Sequence, residues 1–143
     1  MSRIVTFETL DEAAQASFPA SCRLVALHEH GDTGFALFNT REIGAPYLYE
    51  VYYDRQDGRW SEGSSSNGPG WHRTDSDGER GVVSKWGEVP RGADRAQVEF
   101  RGRVWEQPVA NDAYLFLWWD EPSPKEHPEL VAFLVDGEWI RQP

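Results

Sequence analysis

The sequence predicts a mainly β fold, an antiparallel β-sandwich or partly closed barrel with one short N-terminal α-helix. Three observations predict it. Segments that alternate apolar and polar residues recur along the chain, residues that tolerate positive φ stand between them, and a single capped helical stripe lies near the start. An α+β arrangement, a helix laid on a β-meander, is the alternative reading of the same pattern.

The helix comes first. Thr9-Leu10-Asp11-Glu12 has the spacing of a capping box, in which the Thr9 hydroxyl accepts the amide three residues on and Glu12 reaches back. Leu10, Ala13, Ala14 and Phe18 then fall on one face, and Pro19, which has no amide to donate, stops the run. The spacing predicts a helix over residues 10–17, too short to stand without a surface to dock on.

Strands follow. Cys22–Glu29 and Phe35–Thr40 are short apolar segments on either side of His30-Gly31-Asp32-Thr33-Gly34. In Tyr47–Asp54 the residues Tyr47, Tyr49, Val51 and Tyr53 share one face and Leu48, Glu50, Tyr52 and Asp54 the other. Arg95–Arg101 alternates strictly, with Ala96, Val98 and Phe100 on its apolar side. Tyr114–Trp119 and Leu130–Val135 are unbroken apolar runs, which reads as central strands covered on both faces.

Turn chemistry supports strands over buried helices. Asp57-Gly58, Asn67-Gly68, Asp77-Gly78 and Asp136-Gly137 each stand between candidate strands, and two-residue hairpin loops need the positive φ that Asn, Asp and Gly accept. Arg101-Gly102-Arg103 joins Arg95–Phe100 to Val104–Gln107, and Asn111-Asp112 turns the chain into Tyr114. The polar stretch Gly63–Gly70 reads as a flexible loop, and Asp75–Gly81 as an acidic turn region. One β-rich domain, 1–143, is expected. A subdivision near residue 80 would part a helix-plus-meander piece, 1–80, from a smaller β piece, 81–143, which would be marginal alone without disulfide or metal.

Charge narrows the function classes. Of 143 residues 24 are Asp or Glu and 14 are Lys or Arg, for a net charge of −10. The basic residues are scattered, so nucleic acid bound through its phosphates and anionic membrane surfaces are not expected partners. No apolar run approaches the roughly 20 residues that cross a bilayer. Glu8 interrupts the N-terminus too early for a secretory leader. Cys22 is the only cysteine, which excludes an intrachain disulfide and a cysteine-built zinc site. A soluble, cytoplasmic protein is expected.

His28 and His30 share a strand face and would need His72 or Asp75 as a third metal ligand, which no spacing supplies; no metal and no other cofactor is expected. Gly63 and Gly68 have the spacing that opens a phosphate loop, yet Pro69-Gly70 stands where Lys and Ser or Thr are required. No serine sits in Gly-x-Ser-x-Gly, so no catalytic residue is assigned. Trp60 precedes the serine- and glycine-rich loop and Trp71-His72 follows it. Exposed, Trp60, Asn67, Trp71 and His72 would form a ligand-binding rim; buried, the indoles would plug the core. The expected function is therefore a non-catalytic binding or protein-interaction module, its partner an unidentified protein or small ligand. The alternative is a small-molecule pocket or enzyme whose cavity lies between the helix and a curved sheet lined by Tyr47, Tyr49 and Tyr53.

Overall fold

Local preference and register together produce two compact units, Met1–Gly68 and Pro69–Pro143, in the computed structural model. The structure describes residues 5–17, 22–40, 48–66, 72–74, 80–122 and 126–143. The fold is mainly β, every strand pair is antiparallel, and the sheets do not close into a barrel.

The first unit is a helix on a meander. Helix α1 (Leu10–Ser17) precedes β1 (Arg23–His30), β2 (Thr33–Asn39), β3 (Leu48–Gln56) and β4 (Arg59–Ser66), which pair in chain order. The Glu12 amide donates to the Thr9 hydroxyl at 3.1 Å, as a capping box requires. The reciprocal bond differs from expectation, because the Glu12 carboxylate takes the Thr9 hydroxyl proton at 3.1 Å. Leu10, Ala13 and Ala14 bury their stripe against Ala36, Phe38, Val51, Tyr53 and Trp60, one face of the sheet. On the other face Phe35, Leu37, Leu48 and Tyr52 are buried too, with Phe35 and Tyr52 edge to face at 5.3 Å.

Close approach explains a glycine in the middle of β2. A methyl group on Gly34 would sit 2.5 Å from Leu10 Cδ1, so glycine there lets Leu10 seat on β2 without its side chain having to move aside.

The second unit is a β-sandwich. One sheet contains β5 (His72–Thr74), β6 (Arg80–Glu88) and β9 (Ala113–Pro122) in the order β5-β6-β9. The other contains β7 (Ala93–Phe100), β8 (Arg103–Pro108), β10 (Glu129–Val135) and β11 (Glu138–Arg141) in the order β11-β10-β7-β8. Val83, Tyr114, Phe116 and Trp118 from the first sheet meet Ala96, Val98, Phe100 and Phe133 from the second. Rings supply most of this interior: Phe116 stacks on Trp118 at 5.9 Å, and Trp118 lies 4.5 Å from Phe100.

Three expectations need correction, and one strand was not expected. The apolar run of β9 is not a central strand, since β9 ends its sheet among the described strands; Tyr114, Phe116 and Trp118 face the core while Leu115, Leu117 and Trp119 are half-buried. Strand β10 is central, but Leu134 and Val135 on it are only half-buried. Strand β6 pairs with β9 along nearly its whole length, although its mixed sequence carries no clean alternation. Finally, Gly63, Ser64, Ser65 and Ser66 belong to β4 and not to a loop, with Val51 opposite Ser65 and Glu50 opposite Ser66. Ladder bonds to β3 override the weak strand preference of serine and glycine. The pairs Asn67-Gly68 and Asp77-Gly78 lie outside the described residues.

Gly34→Ala is expected to cost about 1–3 kcal/mol through overpacking, and Leu10→Ala about 2–5 kcal/mol. The double variant should lose clearly less than the sum, because each change relieves the other. Urea unfolding of the four proteins measures that coupling.

Candidate functional site

Trp60 decides the fate of the rim between residues 60 and 72. Its backbone bridges Phe7 through two bonds of 2.8 Å, and register pairs it with Arg55 on β3. That register turns the indole to the helix side of the sheet. Trp60 is 2% exposed, packed with Leu10, Ala13, Ala14 and Tyr53, and its ring lies 5.0 Å beneath the Arg55 guanidinium. It plugs the core and presents no rim. Asn67 and Trp71 lie outside the described residues, and of His72 only the backbone pairing with Val83 is described.

The helix end gathers polar groups that resemble a reactive cluster. Ser17 Oγ stands 2.6 Å from Tyr53 Oη, 2.7 Å from Glu62 Oε1 and 3.1 Å from the Ala13 carbonyl. Serine has one proton, and the charged Glu62 carboxylate is the strongest acceptor for it; the Tyr53 hydroxyl then donates to Ser17. Burial pushes the Tyr53 phenol up to about 12, opposed by the Ser17 bond and reinforced by the Glu62 charge. Tyr53 is fully buried under the helix, and Tyr49 packs beside it half-buried. Both hydroxyl protons therefore serve to tie α1 to β3 and β4. Tyr47 lies outside the described residues.

His28 and His30 occupy β1, opposite Phe35 and Thr33. Partial burial holds the His28 imidazole below its ordinary value. Among the described residues no three His, Cys, Asp or Glu side chains converge as a metal-binding group.

Large apolar side chains are exposed at Val5, at Leu24 on β1, at Val104 on β8 and at two adjacent positions on β11, where Trp139 is 41% exposed and Ile140 49%. Among the described strands β11 is an edge. Its hairpin closes through Asp136 and Gly137, at φ 50° and 81°, with Val135 opposite Glu138. Both central residues are left-handed, the signature of a type I′ turn. In such a hairpin the closing pair exchanges both backbone bonds, and the bonded pairs then alternate along the strand. Glu138 and Ile140 accordingly bond to β10, and the Gln142 amide continues the ladder to the Val131 carbonyl at 2.8 Å. Trp139 and Arg141 direct their N–H and C=O groups outward from the open edge.

Among the described strands the edges β1, β4 and β8 expose mainly polar residues: β1 exposes Arg23, His28, Glu29 and His30 beside Leu24, β4 exposes Glu62, Gly63, Ser64 and Ser65, and β8 exposes Arg103, Glu106, Gln107 and Pro108 beside Val104. Charge, polarity and proline of that kind deter pairing between edges. On β8 the Arg95 guanidinium also ties down Glu106, holding that carboxyl below the usual range. Strand β11 has two large apolar residues side by side and backbone groups to pair. The sequence signal for this surface is a Trp-Ile pair on a four-residue strand after a tight turn.

No family model matches the chain, and no curated protein or solved structure matches it.

Trp60→Ala should cost about 3–5 kcal/mol in chemical denaturation, the scale for an emptied aromatic core site; a loss below about 1 kcal/mol would return Trp60 to the surface. Tyr53 gives a pH test. Its folded value, about 12, lies above the ordinary 10.0, so its contribution to stability is complete below pH 10 and disappears as pH rises towards 12. Tyr53→Phe should lower stability by about 1 kcal/mol near neutrality through the lost Ser17 bond. It should also flatten the alkaline decline, which denaturation curves taken across that interval would register.

Proposed function

We propose that the chain is a non-catalytic protein-interaction module that meets its partner by strand addition at β11. One observation carries the reading: an edge strand exposes Trp139 and Ile140 while the N–H and C=O groups of Trp139 and Arg141 face outward. Strand addition draws its affinity from such backbone groups and its selectivity from the alternate side chains. Tryptophan is also a frequent anchor of protein interfaces. The hydroxyls around Ser17 support a non-catalytic role, since their protons are committed to docking the helix. A net charge of −10 favours a protein partner over nucleic acid or an anionic membrane. Among the described residues no helix is long and apolar enough to cross a membrane. With one cysteine and no intrachain disulfide to maintain, we place the protein in the cytoplasm.

A photo-crosslinking side chain substituted at Trp139 tests the reading in cells, with one at Val104 on the opposite edge of the same sheet as reference. Discrete covalent adducts are expected from position 139 and not from position 104. Adducts from position 104 alone, or none from position 139, would overturn the proposal.

A further inference from the structure

The partner that β11 fits is a second copy of this chain. We infer that two copies pair their β11 strands antiparallel about a twofold axis perpendicular to the sheet, with Ile140 opposite Ile140 of the other copy. This rests on the strand-addition reading and names its partner.

Symmetry limits the choices. A twofold axis perpendicular to the sheet keeps each face on its own side, so residues that oppose one another must lie on the same face. Trp139 and Arg141 share one face and Glu138 and Ile140 the other, as their pairing with Leu134, Ala132, Val135 and Phe133 shows. Three registers around the centre of the strand meet this condition. The first sets Trp139 against itself, which places Ile140 opposite Glu138 and Arg141 opposite Gly137 in the turn. The last sets Arg141 against itself, a like-charge contact, and leaves Trp139 opposite Pro143, which has no amide to donate.

Only the middle register uses the whole edge. Trp139 lies opposite Arg141 of the second copy, and both are residues whose backbone groups point outward. Each of the two symmetric pairs exchanges two bonds, so all four N–H groups and all four C=O groups find partners. Ile140 occupies the intervening non-bonded pair, where side chains approach most closely.

The side chains agree with that register on both faces. On one, Ile140 meets its copy and continues the row that begins at Phe133. On the other, the Arg141 guanidinium faces the indole of Trp139, a cation on a π-surface, and Leu134 and Ala132 extend the contact on either side. Glu138 lies opposite Gln142, a polar pair without like charge. The two four-stranded sheets become one of eight strands, ordered β8-β7-β10-β11 and then the same strands reversed. Opposing this, two chains of net charge −10 repel, though over no more than about 8–10 Å at physiological ionic strength. The pairing is therefore concentration-dependent.

Cysteine cross-linking of the full chain reads the register. In a Cys22→Ser background the Ile140→Cys variant should oxidise to a covalent dimer. Non-bonded partners have Cα atoms about 4.5 Å apart, within disulfide reach. Trp139→Cys should not do so, because in this register its two copies stand roughly 8–9 Å apart, too far to bridge. Sedimentation of the unmodified chain should show monomer and dimer in equilibrium, with Trp139→Ala and Arg141→Glu each weakening it about tenfold. Preferential cross-linking of Trp139→Cys or Arg141→Cys would overturn the register. A chain that stays monomeric at every concentration, with no cross-link from Ile140→Cys, would overturn the second copy as partner. In that case adducts from position 139 to a chain of different mass would leave the strand-addition reading standing, and their absence would remove both.

Discussion

Register is the constraint on which the rest of this molecule depends. In a strand a slip of one residue exchanges every core side chain for a surface one. Here register is set by two-residue reversals whose central residues are both left-handed: Asp57-Gly58, Arg101-Gly102, Asn111-Asp112 and Asp136-Gly137. Each matches the twist of the strands it joins. The reversal at Asp57-Gly58 puts Trp60 opposite Arg55 and hence under the helix. At Arg101-Gly102 the turn puts Trp105 opposite Val98, where it meets Trp118 edge to face at 5.9 Å. Asn111-Asp112 carries the chain from β8 in one sheet to β9 in the other. Asp136-Gly137 decides which backbone groups of β11 look outward.

One of these turns carries an unusual residue. Arg101 takes φ 54°, a region that non-glycine residues enter at a cost unless local contacts compensate. Its side chain supplies such contacts: one guanidinium nitrogen donates to the Pro122 carbonyl at 3.0 Å, another lies 3.3 Å from a Glu121 oxygen, and the plane covers Phe100 at 5.1 Å. The same side chain that strains the turn therefore links β7 to the end of β9. The ion pair is partly exposed, so its electrostatic share is small. Directional bonds to the β9 end matter more than the charge.

The turn residues and the helix cap were legible because each depends on a few neighbours. Asp57-Gly58 and Asp136-Gly137 are readable from φ alone, and Thr9 with Glu12 from one turn of helix. Strand β6 was not legible, since Gly81, Ser84, Lys85 and Gly87 break its alternation and its strand state comes from pairing with β9. The serines of β4 failed for the same reason. Trp60 shows the limit most clearly. Sequence places it before a serine- and glycine-rich stretch, but whether an indole there faces inward depends on a register counted from the Asp57-Gly58 turn. Counting from that turn, with Tyr53 on the apolar face, gives the inward answer.

The same count explains why the candidate surface was missed. Apolar residues on a strand normally signal a core, and in β11 the core reading of Trp139 and Ile140 fails on both faces at once. Ile140 follows Phe133 in its row, yet the row ends at β11, the edge of its sheet. Trp139 lies on the outer face beside Leu134, which is itself half-buried. A single exposed apolar residue is ordinary on any protein surface. Two neighbours on opposite faces of an open edge are different, because any strand laid against that edge buries both at once. Edges built to remain unpaired place charge or proline where β11 places an indole and a branched aliphatic. Its shortness limits pairing to a few residues, which favours a reversible contact over an extended aggregate. Twofold closure then leaves the two β8 strands as the new edges, where Arg103, Glu106 and Pro108 surround a single exposed aliphatic, Val104, and discourage further growth.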